Sequence, residues 1–166
     1  LAAWMKVLPF QHDIHQQESG GLFERHQPDV LIGWLNLSLF GVMLLQVYFL
    51  ARRLFDPGVA RLSVAIVLGM EAMWRFSYSG LSTMLLFVLF LAILRLLVAI
   101  EAGASAAVPR VWWKTVGLAV LAGGLAGVGC MTRYSFGWFI LPVATYILAC
   151  SRVHRWVATP AAIAAF

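Results

Sequence analysis

Charge is what this sequence has least of. Asp, Glu, Lys and Arg together make up only 11% of its 166 residues, against about a quarter in soluble domains. A chain so poor in charge cannot cover an ordinary globular surface. Acids are scarcest, seven against twelve Lys and Arg. Only two cysteines are present, too few for a disulfide framework or a thiolate cluster. Alternation of apolar and polar residues over about ten positions is also missing, which excludes a membrane barrel. What fills the chain is apolar: 62% hydrophobic residues and a mean hydropathy of +0.87 describe a membrane protein.

A helix needs roughly 20 apolar residues to cross the hydrocarbon core. The runs give an all-α, polytopic helical bundle of about five complete spans: Val30–Ala51, Val59–Ser77, Leu81–Ile100, Val116–Thr132 and Phe136–Cys150. Pro142 is expected to break the fifth, and a sixth begins near Trp156 and is cut short at Phe166. The opening "LAAWMKVLPF" has neither an initiating Met nor the pattern of a signal peptide. With the unfinished sixth span, this reads as a fragment of a larger membrane domain.

Lys and Arg set the orientation, because short cytoplasmic loops retain them. Arg52, Arg53, Arg61, Arg110, Lys114, Arg152 and Arg155, seven of the twelve, fall on one side. Lys6, Arg25, Arg75 and Arg133 fall on the other, and Arg95 lies near the inner end of the third span. Residues 1–29 are therefore expected as an extracytoplasmic segment, followed by a transmembrane region over 30–166 in a cell inner membrane. The net charge of +5 is a topology signal and calls for no nucleic acid. Cys130 and Cys150 fall near opposite ends of their spans, so they are not expected to pair. The sequon Asn36-Leu37-Ser38 lies inside a predicted span, where no glycosylating transferase could reach it.

"MEAMWRFSYSG", residues 70–80, places two charges in the second span. Glu71, Arg75, Tyr78 and Ser79 share one helical stripe toward the outer interface. Two readings follow: a structural Glu71–Arg75 pair one turn apart, or a stripe lining an outer cavity in which Arg75 meets an anion. In "GLAVLAGGLAGVGCMTRYSFGW", Gly123 and Gly127, flanked by Ala119, Ala122 and Ala126, form a helix-packing seam. The same segment ends in Thr132-Arg133-Tyr134, which puts a second arginine at the outer boundary. Two guanidiniums in one layer, with Tyr78 and Tyr134 beside them, suit a lipid phosphate.

The stretch "QHDIHQQESGGLFERHQPD" holds four of the seven acids and three of the four histidines. His12, Asp13, His15 and Glu18 are open to three readings: a solvated loop, an acid–base role, or a divalent metal site, although their spacing matches no metal motif. Gly20-Gly21 ends the segment, and Pro28 marks the start of the first helix.

Together, "LNLSLFGVMLLQVYFLARRLFDPGVARLSVAIVLGMEAMWRFSYSGLSTMLLFVLFLAILRLL" and "LAGGLAGVGCMTRYSFGWFILPVATYI" resemble polytopic glycosyltransferases of the C-type fold. The resemblance is closest to family 39 and its relatives, the protein mannosyltransferases and aminoarabinose transferases, and covers residues 30–150. It implies transfer of a sugar from a polyprenyl-phosphate donor on the extracytoplasmic side, with an acid of the first outer loop deprotonating the acceptor. Asp13 and Glu18 are the candidates for that acid. Arg75 and Arg133 would bind the departing phosphate; no cofactor is assigned, and a divalent metal stays open as the alternative. The competing classes are a transporter, to which Glu71 and Arg75 would lend a polar pathway, and a non-catalytic assembly subunit. No internal repeat favours transport.

Overall fold

The computed structural model describes residues 27–78, 82–104, 112–150 and 155–166. These are helical almost throughout, with no strand among the described residues. In chain order they form α1 (Gln27–Leu54), α2 (Pro57–Gly69), α3 (Glu71–Tyr78), α4 (Thr83–Ala104), α5 (Trp112–Thr132), a 3-10 helix (Tyr134–Phe139), α6 (Ile140–Cys150) and α7 (Arg155–Ala165). Three stretches are long and apolar enough to cross a membrane, Val30–Leu54, Thr83–Ala104 and Trp112–Thr132. The chain is an all-α, multi-pass membrane bundle.

The second and fifth expected spans differ from uninterrupted helices. The second is broken at Met70, whose backbone is extended at φ −76° and ψ 111°. Gly69, a weak helix residue, precedes Met70 there, and the charged α3 follows. The fifth opens as the 3-10 helix and turns α-helical only at Ile140. Pro142 does not break it. It stands in the first turn of α6, where a missing N–H costs little.

Helix directions follow from cross-contacts. Phe40 of α1 clusters with Met84 near the start of α4, and Arg95 lies over the Phe49 ring further along both helices, 5.6 Å from its centroid. So α1 and α4 run parallel. Phe90 of α4 meets Phe139 at a centroid distance of 5.2 Å, while Glu101 near the end of α4 bonds Tyr146 of α6, so α6 runs with them. Gly123 and Gly127 of α5 face Ala162 and Phe166 in the same order, which makes α5 and α7 parallel to each other. One end of the bundle, called the upper end here, therefore carries the start of α4, the end of α5 and the 3-10 helix. The lower end carries the α1–α2 hairpin and the starts of α5 and α7.

The central helix is α4. Met84, Phe87, Val88 and Leu91 pack into one cluster with α1, α2 and α3. Leu89, Ile93, Leu97 and Ile100 pack into another with α5, α6 and α7. At 100° per residue these two stripes lie on opposite faces of α4, so the bundle is two half-bundles sharing one helix. Exposed Trp34, Tyr134 and Trp138 ring the upper end, and exposed Trp112, Trp113 and Trp156 the lower. Between them α5 spans about 30 Å at 1.5 Å per residue, the thickness of a hydrocarbon core.

Candidate active site

The upper end holds Glu71, Arg75, Tyr78, Arg133 and Tyr134, the candidate site residues with polar side chains that fall within the described chain. The break at Met70 frees carbonyls that α2 would otherwise have satisfied, and in an apolar surrounding each must find a donor. Met70 N–H donates to Val67 O at 3.3 Å. The Trp74 indole N–H donates to Leu68 O at 2.7 Å. Phe40 of α1 meets the Trp74 ring edge-on at 5.2 Å, so the same indole that caps α2 ties α3 to α1. This capping side chain was not foreseen from the sequence; the spacing of Leu68 and Trp74 across a Gly-Met-Glu junction is its only trace.

Glu71 opens α3 and Arg75 lies in its last turn, each at the helix end whose dipole favours its charge. Arg75 Nη2 and Nε both donate to Glu71 Oε1, at 2.7 and 3.0 Å. The two side chains are 79% and 77% exposed, so the pair faces away from the bundle. Tyr78 ends α3, and Ser79 lies outside the described residues.

Arg133 sits on the other half-bundle. It is the extended residue that ends α5 and starts the 3-10 helix, with its N–H bonded to Gly129 O at 2.9 Å and its carbonyl accepting from Phe136 N–H at 2.8 Å. This tight reversal needs Gly129: a Cβ there would overlap the Phe136 ring. Phe136 is buried and stacks on Phe139 at 5.1 Å, while Arg133 and Tyr134 point outward. Arg133 forms no ion pair among the described residues. The structure thus brings Arg75 and Arg133 to one end but not to one face, since the first turns of α4 stand between their half-bundles.

Gly123 and Gly127 lie against α7. A Cβ on Gly123 would overlap the Ala162 carbonyl, and one on Gly127 would come within 2.5 Å of Phe166 O. Ala119, Ala122, Ala126, Ala158 and Ala162 are fully buried around them. At the lower end the Tyr146 hydroxyl donates to Glu101 Oε2 at 2.6 Å, a link between α4 and α6 across 45 positions that sequence inspection missed. Asp13 and Glu18, together with His12 and His15, lie outside the described residues. Among those described, no group of three or more His, Cys, Asp and Glu is placed to hold a metal ion. Cys130 and Cys150 are both free thiols.

Residues 25–166 match the family model described as dolichyl-phosphate-mannose-protein mannosyltransferase. The chain belongs to this family. It is a membrane glycosyltransferase whose sugar donor is lipid-linked. No match was found among curated proteins or among solved structures. Family membership supplies the reaction class that geometry alone leaves open.

Proposed function

We propose that the transferase moves a sugar from a polyprenyl-phosphate donor to an acceptor hydroxyl on the extracytoplasmic side of an inner membrane, at the upper end of the bundle. The observation that carries this reading is the placement of Arg75 and Arg133 at one end, on either side of the start of α4. A phosphate at that end would meet one guanidinium on either side of α4, near the positive end of that helix's dipole. The concentration of basic residues at the lower end, among them the exposed Arg52, Arg53, Arg61 and Lys114, supports a cytoplasmic lower end.

In the proposed reaction the acceptor oxygen attacks the anomeric carbon from the face opposite the phosphate. The bond from that carbon to the phosphate oxygen breaks, the lipid phosphate leaves with the electron pair, and the anomeric configuration inverts. The acceptor's proton passes to a carboxylate, assigned to Asp13 or Glu18. Arg75 and Arg133, assisted by Tyr78 and Tyr134, stabilise charge developing on the departing phosphate.

The test replaces each arginine by Gln in the full chain and measures sugar transfer from polyprenyl-phosphate donors. Loss of a charge-assisted hydrogen bond corresponds to roughly 1.5–3 kcal/mol of donor use. Lys should rescue in part, keeping the charge and losing the fork. Glu71→Gln/Arg75→Gln isolates the role of Arg75: unimpaired transfer in this double variant would make the pair purely structural.

A further inference from the structure

Arg95 is a cation with no anion to answer it. It stands in α4, the most apolar of the three membrane-length helices at a mean hydropathy of 2.8. Met84, Val88, Leu91 and Arg95 fall at i, i+4, i+7 and i+11, the stripe that α4 turns toward α1. The guanidinium carbon lies 5.6 Å from the centroid of the Phe49 ring. Yet Arg95 is exposed and forms no ion pair among the described residues. The acids of the lower end do not serve it. Glu101 accepts a hydrogen bond from Tyr146 of α6, on another side of α4, and Asp56, at the N-cap of α2, forms no ion pair among the described residues. A charge within a span is costly and is found where an anion or water faces it.

Depth decides which anion. Counted down α1 from the exposed Trp34, Phe49 lies about 22 Å along the helix and Arg52 and Arg53 about 27 to 29 Å. Against a hydrocarbon core of about 30 Å, the Arg95 guanidinium is within about 8 Å of the lower boundary and Arg52 and Arg53 are at it. The latter two follow Phe49 by three and four positions, so they stand one turn below it on the same side of α1, and both are exposed. Retention of basic residues in cytoplasmic loops explains Arg52 and Arg53 but not Arg95, which lies in no loop. An acid on another helix would itself stand inside the hydrocarbon at a cost, whereas a lipid phosphate already lies beside that boundary. Basic residues between helices suit such a headgroup. With the Phe49 ring against its face, the guanidinium keeps its edge N–H groups for forked donation to phosphate oxygens.

We propose that Arg95, Arg52 and Arg53 form a surface site at the foot of α1 and α4 for the phosphate of an anionic phospholipid in the lower leaflet. This site lies at the opposite end from the donor site proposed above and stands without it.

The experiment titrates phosphatidylglycerol into the full chain held in phosphatidylcholine nanodiscs and measures retained lipid by native mass spectrometry, for the unaltered protein, Arg95→Gln, Arg52→Gln/Arg53→Gln and Lys114→Gln. Loss of a charge-assisted hydrogen bond corresponds to roughly a 10-fold loss of affinity or more, expected for Arg95→Gln and for the double variant. Lys114→Gln removes a charge from the lower end of the other half-bundle and should leave binding nearly unchanged. Should Arg95→Gln prevent folding, Arg95→Lys, which keeps the charge and loses the fork, must weaken binding in part, and the double variant of two exposed residues is read in either case. Unchanged phosphatidylglycerol binding in the Arg95 and double variants, or an equal loss in Lys114→Gln, overturns the site. Displacement of the lipid by soluble glycerol phosphate would make it a site for free phosphate and overturn the lipid assignment. A lower melting temperature of Arg95→Gln in pure phosphatidylcholine, with phosphatidylglycerol binding retained, would pair Arg95 with an acid elsewhere in the protein and likewise overturn it.

Discussion

Gly123→Ala is the sharpest test of how the half-bundle holds together. The added Cβ would occupy the place of the Ala162 carbonyl, and because that neighbour is backbone, no side-chain rotation relieves the overlap. The two helices must move apart, by about 1 Å or more to restore ordinary contact, and every alanine along the seam then loses part of its dispersion energy. Within a membrane, close packing of this kind is a main source of helix association. Overpacking of a filled core costs about 1–3 kcal/mol, and the immobility of the blocking atom favours the upper half of that range. The same helix supplies its own controls. A Cβ on Gly124 would lie 3.9 Å from Ala165 O, an ordinary contact, and one on Gly117 would meet nothing within 4 Å. At those two positions Ala should be neutral or stabilising by up to about 1 kcal/mol, since it is the better helix former. Gly127→Ala should fall between, its nearest atom being Phe166 O at 2.5 Å. Equilibrium unfolding in mixed micelles would rank the four variants, and a Gly123→Ala protein as stable as Gly117→Ala would refute the reasoning.

Trp74→Phe keeps an aromatic edge against Phe40 but removes the donor to Leu68 O, leaving a carbonyl at the break unsatisfied; a loss of about 1–3 kcal/mol is expected, read by thermal unfolding and by faster proteolysis near Met70. Tyr146→Phe deletes the hydroxyl that links α6 to α4 and should cost about 0.5–1.5 kcal/mol, with Tyr146→Phe/Glu101→Gln no worse than the single change if the hydrogen bond is the whole effect. The orientation is checked by single cysteines and an impermeant thiol reagent on intact cells: a cysteine at position 20 should label and one at 57 should not, and the reverse pattern would invert the bundle.

Length and hydropathy made the helices legible, but not their interruptions. Apolar runs mark α1, α4 and α5 because a lipid-facing helix is apolar on every side, and such runs carry little information about backbone continuity. One extended residue at Met70 leaves the pattern intact. What betrays the break is chemical, namely glycine before it, two charges after it and an indole placed to reach back. Pro142 misled for the opposite reason: a proline is a strong signal, but its effect depends on position within the helix, and in the first turn it is harmless. The small-residue seam at Gly123 and Gly127 was visible as a seam; that α7 lies in it was not, because partner choice depends on topology. Glu101 and Tyr146 meet across 45 positions, beyond any local periodicity. The arginines were legible as sharing a layer, whereas α4 standing between their half-bundles is a property of packing alone.

The two readings of Glu71 and Arg75 cease to compete once their exposure is considered. An ion pair with both side chains more than three-quarters exposed is worth about 0–1 kcal/mol. A forked, charge-assisted contact to phosphate is worth more, roughly 1.5–3 kcal/mol. Glu71 can therefore hold the guanidinium of Arg75 while the donor is absent and release it at small cost when a phosphate arrives. The pair keeps an arginine from standing alone near the upper end of an apolar bundle, where an isolated charge is costly, and on the proposed reaction it does so without withdrawing it from substrate. On the proposed reaction this has a further consequence: after transfer, the return of Arg75 to Glu71 competes with the spent lipid phosphate and so favours its departure. A carboxylate one turn from a phosphate-binding arginine then serves both assembly and turnover.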